Sequence, residues 1–114
     1  MARTTLLLID VLEEILNSEE ATLTGDAFAL PSRATEIDWQ VVIDDDEDVT
    51  VILQTAIELT GPYLTIDTIT LTGTELSELR SISPVAGKFV RMNITVNVSE
   101  VLVIGKLNCK IVNP

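Results

Sequence analysis

Strict alternation of apolar and polar residues is the feature that most limits what this chain can become. In "GKFVRMNITVNVSE", residues 87–100, Val90, Met92, Ile94, Val96 and Val98 alternate with Phe89, Arg91, Asn93, Thr95 and Asn97. Successive side chains of an extended chain point to opposite faces, so a period of two predicts a β-strand with one buried face. The signal recurs at Ile37, Trp39, Val41 and Ile43 in "IDWQVVI", and at Val49, Val51, Leu53 and Ile57 in "VTVILQTAI". The run "DDDED" at 44–48 separates these two strands and predicts a hairpin between them. "TGP" at 60–62 reads as a turn. The strand "YLTIDTITLTG" follows, and its phase slips between Ile66 and Ile69, as a bulge would cause.

Beyond Gly73, "TELSELRSISPVAG" reads as a polar, irregular connection anchored by Leu76, Leu79 and Ile82 and closed by Pro84 and Gly87. After the 87–100 strand comes a last pair, "VLVIG" and "KLNCKIV", with Gly105 as a bend between them. The start is ambiguous. Leu8, Val11, Leu12, Ile15 and Leu16 fit a helix face, whereas "TTLLLI" fits a strand. An extended arm or edge strand is the preferred reading, with room for one helical turn near Glu13–Asn17. Six or seven short strands separated by turn signals predict an all-β fold, an antiparallel β-sandwich of jelly-roll type. Residues 1–25 form the N-terminal arm or edge strand, and residues 26–114 form the sandwich domain.

A length of 114 residues suits one domain. The net charge of −11 is unevenly placed: residues 1–48 hold 13 acids and 2 bases, and residues 49–114 hold 5 of each. Phosphate binding needs clustered Lys and Arg, so nucleic acid and anionic membrane surfaces are unsuitable partners. A basic protein surface or a cation remains compatible, and the charge also keeps the chain soluble. The stretch "TTLLLIDVLEEIL" is too short and too charged to cross a membrane, and it lacks the form of a signal peptide. Synthesis in the cytoplasm is expected. "NIT" and "NVS", which match the N-glycosylation pattern, are then read as polar strand positions.

Few residues offer chemistry. There is no His, which removes His-based triads and His metal ligands. Cys109 is the only cysteine; it alternates with Leu107 and Ile111 and reads as a core residue. The one metal candidate is a calcium site at Asp44, Asp45, Asp46 and Asp48, since calcium favours several carboxylate oxygens. The run lacks the Gly and terminal Glu of an EF-hand, and adjacent carboxylates in a hairpin more commonly point into water. No nucleophile elbow and no Gly-rich phosphate loop are present. Trp39 is in phase with the core, and Tyr63 follows a Gly-Pro turn. A sugar-stacking pair is therefore the lesser reading of these two aromatics. Arg91 lies on a polar strand face with Asn93 and Thr95, as a solvated side chain, a cross-strand partner or a contact between subunits. No catalytic residue and no cofactor site follow, and the chain is not expected to be an enzyme.

The segments "RTTLLLIDV", "TGDAFALP", "DWQVVI", "VTVILQTAI", "TGPYLTI", "AGKFVRMNITVNV" and "KLNCKIV" occur in this order along nearly the whole chain. The order, rather than any single segment, resembles a family of small β-sandwich virion proteins of tailed bacteriophages, of the capsid decoration or head auxiliary type. The family pattern carries a "DGxxW" turn where this chain has "LTGPYL", and a "PVRYIR" strand where it has Phe89 and Met92. "VLEEILNSEE" stands out as an acidic extension. The resemblance implies a structural protein located in the virion, binding the major capsid protein or other virion proteins through protein-protein interaction. It implies a homo-oligomer or multi-copy assembly, without catalytic residues. A neck or tail structural protein is the alternative in the same class, and a carbohydrate-binding β-sandwich module is the alternative outside it.

Overall fold

The alternating segments pair into two antiparallel sheets that bury their apolar faces against each other. The computed structural model describes residues 7–32, 34–83 and 87–113. Among the described residues nine strands follow in chain order: β1 (Leu7–Ser18), β2 (Leu23–Thr24), β3 (Phe28–Ala29), β4 (Ala34–Ile43), β5 (Val49–Ala56), β6 (Leu64–Leu71), β7 (Ser77–Ile82), β8 (Phe89–Asn97) and β9 (Val103–Asn113). One sheet has the order β1-β9-β4-β7; the other has β2-β8-β5-β6, with β3 also paired to β8. Every pairing is antiparallel. Taking β2 and β3 as one interrupted strand, this is the eight-strand, two-Greek-key arrangement of a jelly roll, as the spacing predicted.

The core comes from the alternation itself. Ile37, Trp39, Val41 and Ile43 of β4 face Val49, Val51 and Leu53 of β5 and Val90, Met92 and Ile94 of β8, with Ile69, Leu71, Val103, Leu107 and Cys109 completing the interior. Burial at this scale, at roughly 25 cal/mol per Å² of apolar surface, is what holds the two layers together.

Several expectations need correction. The Asp run does not close a hairpin. β4 pairs with β7 and β9, while β5 pairs with β6 and β8, so residues 44–48 cross from one sheet to the other. No helical turn occurs near Glu13–Asn17. That stretch lies within β1, where the register shifts between Glu14 and Leu16, and Leu16 enters the core. The irregular connection is partly the strand β7, and neither Leu76 nor Leu79 anchors it. Trp39 opposes Arg80 and Val41 opposes Glu78, which puts Glu78 and Arg80 on the inner side and leaves Leu79 outside at 63% exposure. Of the three expected anchors only Ile82 packs on the core, and Pro84 lies outside the described residues. "VLVIG" and "KLNCKIV" supply one continuous strand, β9. Gly105 is not a bend in it but a point of close approach to Leu16 and Met92.

The bulge expected in β6 is present: Leu53 opposes Asp67 and Gln54 opposes Thr65, leaving Ile66 as the extra residue. A second bulge, which the alternation hides, lies in β8. Val51 opposes Ile94 and Thr50 opposes Val96, so Thr95 is extra and the phase reverses. Val96 and Val98 are consequently exposed and Asn97 is buried.

Candidate functional site

The jelly-roll connectivity gathers the connections at two ends of the sandwich. At one end lie residues 19–22, 44–48, 72–76 and 98–102, tied together by hydrogen bonds. Asn97 donates to the Glu20 carbonyl (3.2 Å) and the Val101 carbonyl (2.8 Å), and accepts from the Val101 amide (3.0 Å). The Leu102 amide donates to Asp44 Oδ1 (3.1 Å), the Val98 amide to the Asp48 carbonyl, and the Ile43 amide to the Leu76 carbonyl. These four connections carry Glu19, Glu20, Asp44, Asp45, Asp46, Glu47, Asp48, Glu75 and Glu100, and no base. Leu76 and Val98 are exposed among the carboxylates, Val98 at 66%.

The calcium candidate falls at this end. Asp44 is engaged with the Leu102 amide, and Asp45 Oδ1 accepts from the Asp46 amide at 2.7 Å. Among the described residues no three His, Cys, Asp or Glu side chains converge as metal ligands.

At the opposite end lie residues 30–32, 57–63, 83, 87 and 88. The β5–β6 connection presents Ile57 at 69% and Leu59 at 61% exposure, with Leu64 at 68% just beyond it. Tyr63 is held by its hydroxyl, which donates to the Leu59 carbonyl at 2.8 Å, and its ring lies under the Arg91 guanidinium, 4.0 Å from the centroid. Gln54 Oε1 accepts from Arg91 Nε and Asn93 Nδ2, both at 2.9 Å, while Gln54 Nε2 donates to Thr65 (3.2 Å). The polar face of β8 is thus a cross-strand network that fixes Arg91 as a positive charge with no carboxylate partner among the described residues. Lys88 is exposed beside it, its amide donating to the Ala56 carbonyl.

Between the ends, charged groups guard the open sides. Trp39 is buried as its phase predicted, and its Nε1–H crosses between the sheets to donate to Asp67 Oδ2 at 2.9 Å. Asp67 also receives Arg80 Nη1 at 3.3 Å, and Arg80 Nε donates to Glu78. The hydrogen bond to Glu78, followed by the charges of Asp67 and Glu78, raises the pKa of the Arg80 guanidinium further. Cys109 is buried in the core, where desolvation, then the charge of Glu13, pushes its thiol up to about 11.

The sequence placed Trp39 and Cys109 in the core and Arg91 on a polar strand face, as found, but it put the Asp run in a hairpin rather than in a crossing between sheets. It missed Asp67 as the partner of Trp39, Asn97 as a buried brace, and the exposed Ile57, Leu59 and Leu64. The signal for the last three was present in the apolar residues around "TGP".

A comparison with protein-family models and with curated proteins finds no match. Solved structures share the fold. The SPBc2 prophage-derived protein YomS aligns at a TM-score of 0.70 and 9% identity, over 96% of this chain and 99% of that one. A structure described as Bacillus endospore appendages that form a novel family of disulfide-linked pili aligns at 0.58 and 10% identity, over 100% and 96%. No helix among the described residues is long and apolar enough to cross a membrane.

Proposed function

We propose that this chain is a non-catalytic structural protein of a bacteriophage virion, present in several copies and bound to other virion proteins. The observation that carries the reading is the end-to-end likeness to a prophage-derived protein, in which neither chain leaves a substantial part uncovered. A fold alone does not assign a function, and the character of the surface adds to the argument. The polar residues of β8 bond to one another rather than line a reaction centre. Of the exposed large apolar side chains, Ile57, Leu59, Leu76 and Val98 lie in connections and Leu64 and Val96 at strand ends beside them, where a protein partner can cover them, while Leu12 and Leu79 lie on the outer face of the β1-β9-β4-β7 sheet. Within this class the finer reading is a capsid decoration or head auxiliary protein that binds the major capsid protein and stabilises the shell by bridging its subunits.

A neck or tail structural protein is the second reading, favoured by the fold shared with a structure described as disulfide-linked pili. The disulfide linkage of those pili has no counterpart at Cys109, which is the one cysteine and is buried. A carbohydrate-binding module fits less well: Trp39 is in the core and the Tyr63 ring is covered by Arg91. The dense carboxylates of one end disfavour nucleic acid and anionic membranes as partners.

Quantitative mass spectrometry of purified particles tests the reading. Copy numbers comparable to the major capsid protein place the chain on the shell, and about a dozen copies place it at the neck or tail. Its absence from particles overturns the virion assignment.

A further inference from the structure

We infer that the apolar, cationic end of one sandwich docks on the acidic end of a second copy, so that copies stack head to tail along the strand direction. The two ends match in two independent respects. Ile57, Leu59 and Leu64 stand exposed at one end, and Leu76, Val96 and Val98 at the other. Lys88 and the Tyr63-stacked Arg91 accompany the first group and outnumber the exposed carboxylate there, Glu58, while Asp44, Asp45, Asp46, Glu47 and Asp48 surround the second. Apolar side chains supply burial, and the opposite charges set orientation and exclude an end from meeting its own kind. The repulsion between chains of net charge −11 is screened beyond about 8 Å at physiological salt, whereas charges in contact are not.

The sides of the sandwich are poor alternatives. β7 points Glu78 and Arg80 inward, β6 points Asp67 inward, and β1 places Glu13 on the face of Leu107. The remaining edge is made of the two-residue strands β2 and β3. Inward charges and very short edge strands are the devices that prevent edge-to-edge pairing, and the outer sheet face exposes only Leu12 and Leu79, fewer large apolar side chains than either end.

A contact between unlike surfaces does not close on itself and propagates as a row or ring. The two shorter dimensions of the molecule are 30 and 17 Å. An end therefore offers on the order of 500 Å² to its neighbour, about 1,000 Å² in total, the lower edge of specific interfaces. Each contact is weak alone and adds up along an array. The inference rests on the multi-copy virion reading for its setting, but the contact is a property of the purified chain and is tested there.

Sedimentation velocity of the purified protein up to about 0.5 mM, which populates contacts of high micromolar Kd, gives the test. One variant carries Leu59→Asp with Lys88→Glu, and another carries Asp46→Lys with Val98→Lys. All four positions are exposed, and Trp39 emission with thermal melting confirms folding. The wild type should grow in mass with concentration beyond a dimer. Each variant alone should stay monomeric, because its ends now carry like charges, and their equimolar mixture should associate again, since it restores one pair of unaltered ends and sets the new carboxylates against the new lysines. A monomeric wild type, or self-association that survives in either variant, overturns the contact. Stacking in solution by a chain that particles lack supports the contact while removing its virion setting.

Discussion

Trp39 occupies the interior at no exposure, yet it carries a polar N–H that has to be satisfied there. Asp67 Oδ2 accepts it from the opposite sheet. Hydrogen bonds to a charged group contribute about 1.5–3 kcal/mol, and leaving a buried donor unpaired costs a similar amount. Asp67→Ala should therefore lower unfolding free energy in urea by about 2 kcal/mol, whereas Asp67→Asn, which keeps an acceptor, should lose less than half of that. Equal losses would show that the indole N–H does not depend on this acceptor. Cys109 gives a second prediction at this scale. Its thiol is raised from 9.0 to about 11 in the folded chain, chiefly by burial. Below pH 9 both folded and unfolded thiols keep the proton, and the contribution of the protonated thiol to stability is fully present. Above pH 9 the unfolded chain gives up its proton first, so stability falls as pH rises toward 11, by on the order of 2 kcal/mol. Wild type and Cys109→Ala, compared by denaturant titration between pH 8 and pH 11, should converge in stability as pH rises. Parallel curves would contradict the assignment.

At the scale of elements, β1, β9 and β8 fit closely where they meet at Gly105. A Cβ on Gly105 would overlap Met92 Sδ and come within 2.9 Å of Leu16 Cβ. The Met92 thioether can give way, but a Cβ is fixed to its backbone, so Gly105→Ala should destabilise by about 1–3 kcal/mol through overpacking. Unchanged stability on thermal melting would mean that the sheets separate there without cost. The strands β4, β5 and β8 were legible in the sequence because one face of each is wholly apolar. Their partners were not. An acidic run between two alternating segments is the same text whether it turns back within one sheet or crosses to the other, and only the closure of both sheets decides between them. β7 was missed because edge position reverses the usual rule: Glu78 and Arg80 point inward at the open side and Leu79 points to water. The Thr95 bulge was hidden because Val96 and Val98 continue the alternation after the register has shifted. The candidate surface was harder to read still. The two ends exist only once the jelly-roll connectivity brings separate connections together, although the acidic bias of residues 1–48 foreshadowed one of them.

The whole molecule is elongated and polar in both senses of the word. Its radius of gyration is 15.3 Å against about 13 Å for a compact chain of this length, and its long dimension is 60 Å. Carboxylates crowd one end, and exposed aliphatic residues with Lys88 and Arg91 mark the other. On the proposed reading such a body serves as a repeated building block, with both ends open to partners and the sheet edges guarded by charge. Cryo-electron microscopy of particles produced from the genome that encodes this chain is the most direct test of the virion assignment. The account predicts two-layer jelly-roll density of this size, repeated on the shell or along the neck or tail, with the ends of the sandwich in contact with neighbouring proteins. Particles whose ordered density is fully explained by other chains would contradict it.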